Sequence, residues 1–199
     1  MRRRDPSKSM ARARVLDVAE RLFHERGYKA VTMRDIADEL DIRQASLYYH
    51  APGGKEELYA KVIERSMERH KAGLEEALAG AKDEIESQLR AAAEWLLSQP
   101  PIHITRILTS DVTSLSEEEG ARISALAYDS TIGIISKVIK DARKRKELRG
   151  TPHEDVVANA FLSIIDGVWY HSDVQDLKGT KDKMAKDMIK VLLDGLRRE

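Results

Sequence analysis

The chain has 199 residues, of which 42% are hydrophobic and 34% charged, a balance too apolar for a disordered chain and too charged for a membrane protein. Cysteine is absent, which excludes disulfide scaffolds, thiolate metal sites and cysteine nucleophiles. Thirty-four basic residues balance 34 acidic ones, yet residues 1–34 hold ten Lys or Arg against four Asp or Glu, so the N-terminal end looks made for a polyanion and the remainder for another task.

Only 11 glycines and five prolines punctuate long segments rich in Ala, Leu, Glu, Lys and Arg, which predicts an all-α fold. From Ala11, the residues Val15, Val18, Ala19, Leu22 and Phe23 recur at helical spacing and predict a first helix ending at Gly27. Thr32 followed by Asp35 reads as the capping pair of a short second helix with Ile36, Ala37 and Leu40 facing inward. Asp41-Ile42-Arg43 breaks the pattern, Gln44 to His50 resumes it, and Pro52-Gly53-Gly54 ends this third helix. Further helices are predicted at about 55–79, 83–98, 101–112, 117–147 with a break near Thr131–Gly133, 153–173 and 180–198. The stretch 156–169 is interrupted by Asn159, Ser163 and Asp166, and no apolar run follows Arg2-Arg3-Arg4, so neither a membrane span nor a secretory signal is expected and the expected location is cytoplasmic.

Helices two and three, three residues apart, have the dimensions of a helix-turn-helix, with Ile36, Leu40, Ile42 and Leu47 as the shared apolar wedge. Burying that wedge turns Arg43, Gln44, Ser46, Tyr48 and His50 outward. Gln44 has the amide pair that matches adenine N6 and N7, and Ala45 and Ser46 stand beside it as further base readers. Arg34 is placed for a guanine or a phosphate, and Tyr48 and His50 for phosphate oxygens. Tyr49 is open to two readings, DNA contact or packing in the core. Lys55 and Thr32 open helices, where cationic charge or free N–H groups favour phosphate. The Arg2–Arg4 run is either a tail reaching DNA or a plain leader.

On these residues the chain resembles the tetracycline-repressor (TetR) family of transcriptional regulators. The resemblance covers residues 9–65 and is carried by Val15-Leu16-Asp17-Val18-Ala19-Glu20-Arg21-Leu22-Phe23, Gly27-Tyr28, Val31-Thr32-Met33-Arg34-Asp35-Ile36-Ala37, Ala45-Ser46-Leu47-Tyr48-Tyr49-His50 and Lys55-Glu56-Glu57-Leu58. It implies a three-helix DNA-reading domain, a helical ligand-sensing domain, and a homodimer built on a four-helix bundle from the last two helices of each chain. The boundary is drawn as 1–54 for DNA binding and 55–199 for ligand binding and dimerisation. Three departures stand out: Asp41 where the turn usually has glycine, Ala51 where phenylalanine is usual, and a link through Pro52-Gly53-Gly54 that is one residue longer than usual.

Beyond residue 65 the reading rests on side-chain chemistry. Trp95, His103, Ile107, Tyr128, Ile132, Phe161, Ile165 and Trp169 are read as a mostly apolar effector pocket, with ordinary core packing as the competing reading for each. Val157, Ile164, Val168, Met188, Leu192 and Leu196 form stripes that predict an isologous dimer interface. The basic run Lys140–Arg149 is read as a solvated helix end. No phosphate loop, zinc motif or nucleophile elbow occurs, so neither an enzyme, a cofactor nor a metal is expected. The expected function is a ligand-responsive regulator, a repressor released from a palindromic double-stranded DNA operator by a small apolar effector. The alternatives are an architectural DNA-binding protein without a ligand, and an enzyme carrying an accessory DNA-binding domain.

Overall fold

The computed structural model describes residues 6–101, 103–150, 152–174 and 181–197. Among the described residues ten α-helices run in order: α1 (Pro6–Ala30), α2 (Met33–Glu39), α3 (Gln44–His50), α4 (Gly54–Gly80), α5 (Ile85–Ser98), α6 (Ile104–Arg106), α7 (Glu117–Ala127), α8 (Gly133–Lys144), α9 (Glu154–Val174) and α10 (Lys181–Asp194). Two π turns, Ile107–Asp111 and Tyr128–Ile132, and a 3-10 turn, Val112–Ser114, interrupt the α geometry. Among the described residues the fold is all-α; its one β feature is a single bridge pairing Leu148 with Arg197.

The chain divides into two compact units. The first contains residues 6–66 together with 103–125. Its core is the predicted face of α1, with Val15, Ala19, Leu22 and Phe23 buried against Ile36, Leu40, Leu47, Leu58 and Tyr59. Phe23, Tyr28 and Tyr59 form an aromatic cluster, with centroid separations of 6.1, 5.1 and 4.9 Å. Arg65 ties α4 to α1 through Asp17 at 2.7 Å and Glu20 at 2.5 Å. Within α1 the regular helix breaks at Gly27, as predicted: Gly27 adopts φ 78 and ψ 164, a conformation reserved for glycine, and a short helical piece follows the kink to Ala30.

The second unit contains the described residues of 67–101 and 126–197. In it α8, α9 and α10 pack on one another and on α5. Leu89, Ile135, Ile139, Phe161, Ile189 and Leu193 are fully enclosed. Helix α5 approaches α4 at Gly73, where a Cβ would fall 1.9 Å from ring atoms of Trp95. The basic run does more than meet solvent. Arg143 pairs with Glu154 at 2.9 Å and caps Arg149 O at 3.0 Å, while Arg145 reaches Asp83 at 2.7 Å. Glu147 in turn accepts the Ile85 N–H at 2.7 Å and so caps α5.

The predicted helix 101–112 is a composite: His103 in the left-handed region (φ 50), one turn of α-helix and a π turn. The predicted break near Thr131–Gly133 is a π turn at Tyr128–Ile132, after which the helix continues. The compact units also cut the chain elsewhere than Gly54/Lys55, since 103–125 packs with the N-terminal helices.

Candidate nucleic-acid interface

The local sequence fixes α2 and α3 at both ends. Thr32 donates its N–H and its hydroxyl to Asp35 Oδ2 at 2.7 and 2.6 Å and accepts the Asp35 N–H at 3.1 Å, a complete capping box. These hydrogen bonds, the Thr32 hydroxyl's first, hold the Asp35 carboxyl below its ordinary range. They also occupy the hydroxyl proton of Thr32, so the side chain assigned to phosphate serves the cap. At the other end Asp41 (φ 54) takes the left-handed position. Asp41 N–H bonds Asp38 O at 3.2 Å and Ile42 N–H bonds Ala37 O at 3.0 Å, the two bonds of a Schellman turn built without glycine.

Only Leu47 of α3 is buried, at 1% exposure beside Ile36 and Ala37. Ile42, expected in that wedge, is 37% exposed, because as the residue before the N-cap it covers the first turn of α3 from outside. The burial of Leu47 leaves Arg43, Gln44, Ala45, Ser46, Tyr48 and Tyr49 exposed along one short helix, with His50 half-buried. Tyr49 is 72% exposed, which removes it from the core, and its ring meets His50 edge-on at 5.5 Å. Arg34 is exposed on α2, with Asp38 3.7 Å from its guanidinium.

Ala51 is fully buried at the end of α3, and Gly54 (φ 75) starts α4. Glu57 accepts the Gly53 N–H at 2.6 Å and pairs with Lys61, whose ammonium also caps His50 O at 3.1 Å. The Lys61 contact and then the Gly53 N–H keep the Glu57 carboxyl low. Lys55 does not hang free at the helix start: its ammonium donates to Tyr28 O at 3.0 Å and lies 4.2 Å from the centroid of the Tyr28 ring. Glu57 sits where an acidic first-turn residue could have been anticipated. Lys61 carried no such signal, and neither did Asp111, which binds Tyr28 N–H and the Tyr59 hydroxyl from another part of the chain. Burial and then the Asp111 carboxylate push the Tyr59 hydroxyl far above its ordinary pKa. The Arg2–Arg4 run lies outside the described residues.

This is the geometry of a helix-turn-helix: a buried wedge, a tight turn and an exposed second helix with polar donors. Residues 15–62 match the family described as bacterial regulatory proteins, tetR family. Over these residues the chain is similar to the TetR family. It is 29% identical to the HTH-type transcriptional repressor KstR2 of Rhodococcus jostii (strain RHA1), over 95% of this chain and 92% of the relative. The same fold occurs in a regulator from Saccharomonospora viridis in complex with choline (TM-score 0.71, 22% identity, 96% and 100% of the chains). It also occurs in AibR in complex with isovaleryl coenzyme A and operator DNA (TM-score 0.73, 21% identity, 92% and 97%).

The residues read as an effector pocket are divided between the two units. His103 and Ile107 belong to the first, and His103 stacks on His24 at 4.6 Å. In the second, Ile132, Phe161 and Ile165 are core, while Trp95 meets His70 at 5.2 Å. There too, Trp169 has the Lys181 ammonium 3.4 Å from its centroid, and Tyr128 donates to Asp155 at 3.0 Å. Of the residues assigned to the dimer face, Val157 and Val168 are buried within the protomer because that stripe of α9 is used against α8 and α10, and Leu196 is buried just beyond α10, where its carbonyl accepts the Arg149 N–H at 2.9 Å. Ile164 and Leu192 are half-buried and Met188 is 44% exposed; among the described side chains of α9 and α10 the most accessible apolar ones are Val156 at 57% and Val191 at 69%. Among the described residues no helix is long and apolar enough to cross a membrane, and no group of three or more His, Asp or Glu is placed to hold a metal ion.

Proposed function

We propose that the protein is a ligand-responsive transcriptional regulator, a repressor that binds a palindromic operator as a homodimer and leaves it when a small apolar effector enters the second unit. The observation that carries the reading is the burial pattern of α3: Leu47 points inward, and Gln44, Ala45 and Ser46 stand exposed at the end that enters a major groove. Gln44 serves as adenine reader, with Ala45 and Ser46 beside it. Arg34, Arg43, Tyr48, Tyr49, His50 and Lys55 serve as backbone contacts.

The homodimer in this reading is supported by α10, which is apolar on two faces. Ala185, Ile189 and Leu193 are buried, while Met188 and Val191, with half-buried Leu192, remain as a second stripe. Pairing that stripe and Val156 of α9 with their symmetry mates covers it in an isologous interface. Relatives support the ligand and DNA parts of the reading, since one has been seen with choline and another with isovaleryl coenzyme A and operator DNA. Effector and operator then weaken each other's binding by the same factor.

The test is selection of duplexes from a random-sequence pool by the purified chain. The expected result is an inverted repeat with an adenine in each half-site. Enrichment of no sequence, with binding that tracks salt alone, would favour an architectural protein. A palindrome whose affinity is indifferent to every compound that binds the second unit would remove the effector from the reading.

A further inference from the structure

Asp111 is 2% exposed and stands among Phe23, Tyr28 and Tyr59. Its carboxylate accepts the Tyr59 hydroxyl at 2.9 Å and the Tyr28 N–H at 3.3 Å, with Arg106 Nε 3.7 Å away. Arg106 also donates to Phe23 O and His24 O at 3.1 and 2.8 Å, the carbonyls left open before the Gly27 kink. A carboxylate taken out of water into aromatic surroundings is a poor device for stability alone. What it contributes is direction. Tyr28 is held through both of its backbone polar groups: its N–H, in the peptide with Gly27, by Asp111, and its carbonyl, in the peptide with Lys29, by the Lys55 ammonium, which also rests on its ring.

Asp111 reaches this place through a widened turn. It is the last residue of the π turn Ile107–Asp111, and the segment begins with His103 in the left-handed region. A π turn carries one residue more than the α turn it replaces. Relaxing it to α register would rotate Asp111 by about 100° around the helix and withdraw the carboxylate from Tyr28 and Tyr59.

We propose that Asp111 is a positioning residue for DNA binding: through Tyr28 it holds Lys55 where a phosphate is met, so the register of residues 104–114 sets the strength of that contact. The proposal rests on the reading of Lys55 as a phosphate anchor. A wider turn engages the anchor; an α-helical turn releases it.

The experiment is a double-mutant cycle of Asp111→Ala and Lys55→Ala, reading affinity for a mixed-sequence duplex and its salt dependence. Folding is checked by circular dichroism. Asp111→Ala is expected to weaken binding about 5- to 10-fold and to lower the salt slope by about one, with neither effect added to those of Lys55→Ala. Tyr59→Phe, which removes one hydroxyl, is expected to move both quantities in the same direction by less, and it decides the matter in the same cycle if Asp111→Ala does not fold. Unchanged affinity and slope in a folded Asp111 variant, or effects that add fully to those of Lys55→Ala, overturn the proposal. A Lys55→Ala variant that binds like the parent overturns the underlying reading instead.

Discussion

Gln44 and Lys55 stand on adjoining helices and do different work in the proposed complex. A bidentate contact to one base discriminates by about 1–3 kcal/mol, whereas an ammonium on a phosphate is blind to sequence. Gln44→Ala is therefore expected to cost about that much on the selected operator and almost nothing on random duplex. Lys55→Ala should weaken both and lower the salt slope by about one. Titrations on the two duplexes at several salt concentrations distinguish them, and identical behaviour would erase the division into readers and anchors. Asp41 gives a second prediction at this scale. A β-carbon in the left-handed region costs about 1–2 kcal/mol, so Asp41→Gly should raise unfolding stability by about 1 kcal/mol after glycine's own entropy cost, with an unchanged urea m-value. A loss of stability would mean that the Asp41 side chain holds the turn in another way. The capping box and the buried wedge were legible in the sequence, because Thr32 acts on Asp35 three residues away and Ile36 and Leu47 lie on the apolar faces of neighbouring short helices; the Lys55 bond to Tyr28 O, 27 residues away, was not.

Residues 103–114 obey no such local rule. Helical periodicity predicted one helix there, but His103 turns left-handed and the chain widens into a π turn because Arg106 and Asp111 hold residues 82 and 83 positions away. No window of sequence contains both partners, so the signal was absent rather than overlooked. The strain has a measurable companion. Burial first, then the neighbouring His24 and Arg106, lower the pKa of His103 from 6.5 to about 4. Between those values the unfolded chain binds a proton that the folded chain refuses. Stability is thus full above about pH 6.5 and is lost as the pH falls toward about 4. Unfolding measured from neutral to mildly acidic pH should show this decline, and His103→Asn, which keeps a residue tolerant of the left-handed region, should flatten it. An equally steep decline in the variant would assign the pH dependence to other groups.

For the molecule as a whole, the basic N-terminal end and the all-helical composition were legible from residue counts. Two features were not. The packing of 103–125 with the N-terminal helices is a long-range choice, and the side of α9 that stays accessible depends on which neighbours cover the other. Val156, Met188 and Val191 are what remains outside. Because an isologous interface repeats each residue across the axis, Val191→Lys places the new charge on it twice. The variant is expected to sediment as a monomer at concentrations where the parent is a dimer and to lose its preference for the palindrome over a half-site; a dimeric variant would move the interface elsewhere. One further contact bears on how such changes can be followed. Trp95 is one of only two tryptophans, seated on the bare backbone of Gly73 with an imidazole edge-on to its ring. An indole so placed is a built-in lamp: replacing Trp169 by phenylalanine leaves a single emitter whose brightness and colour report, without any dye, whether α4 and α5 have parted.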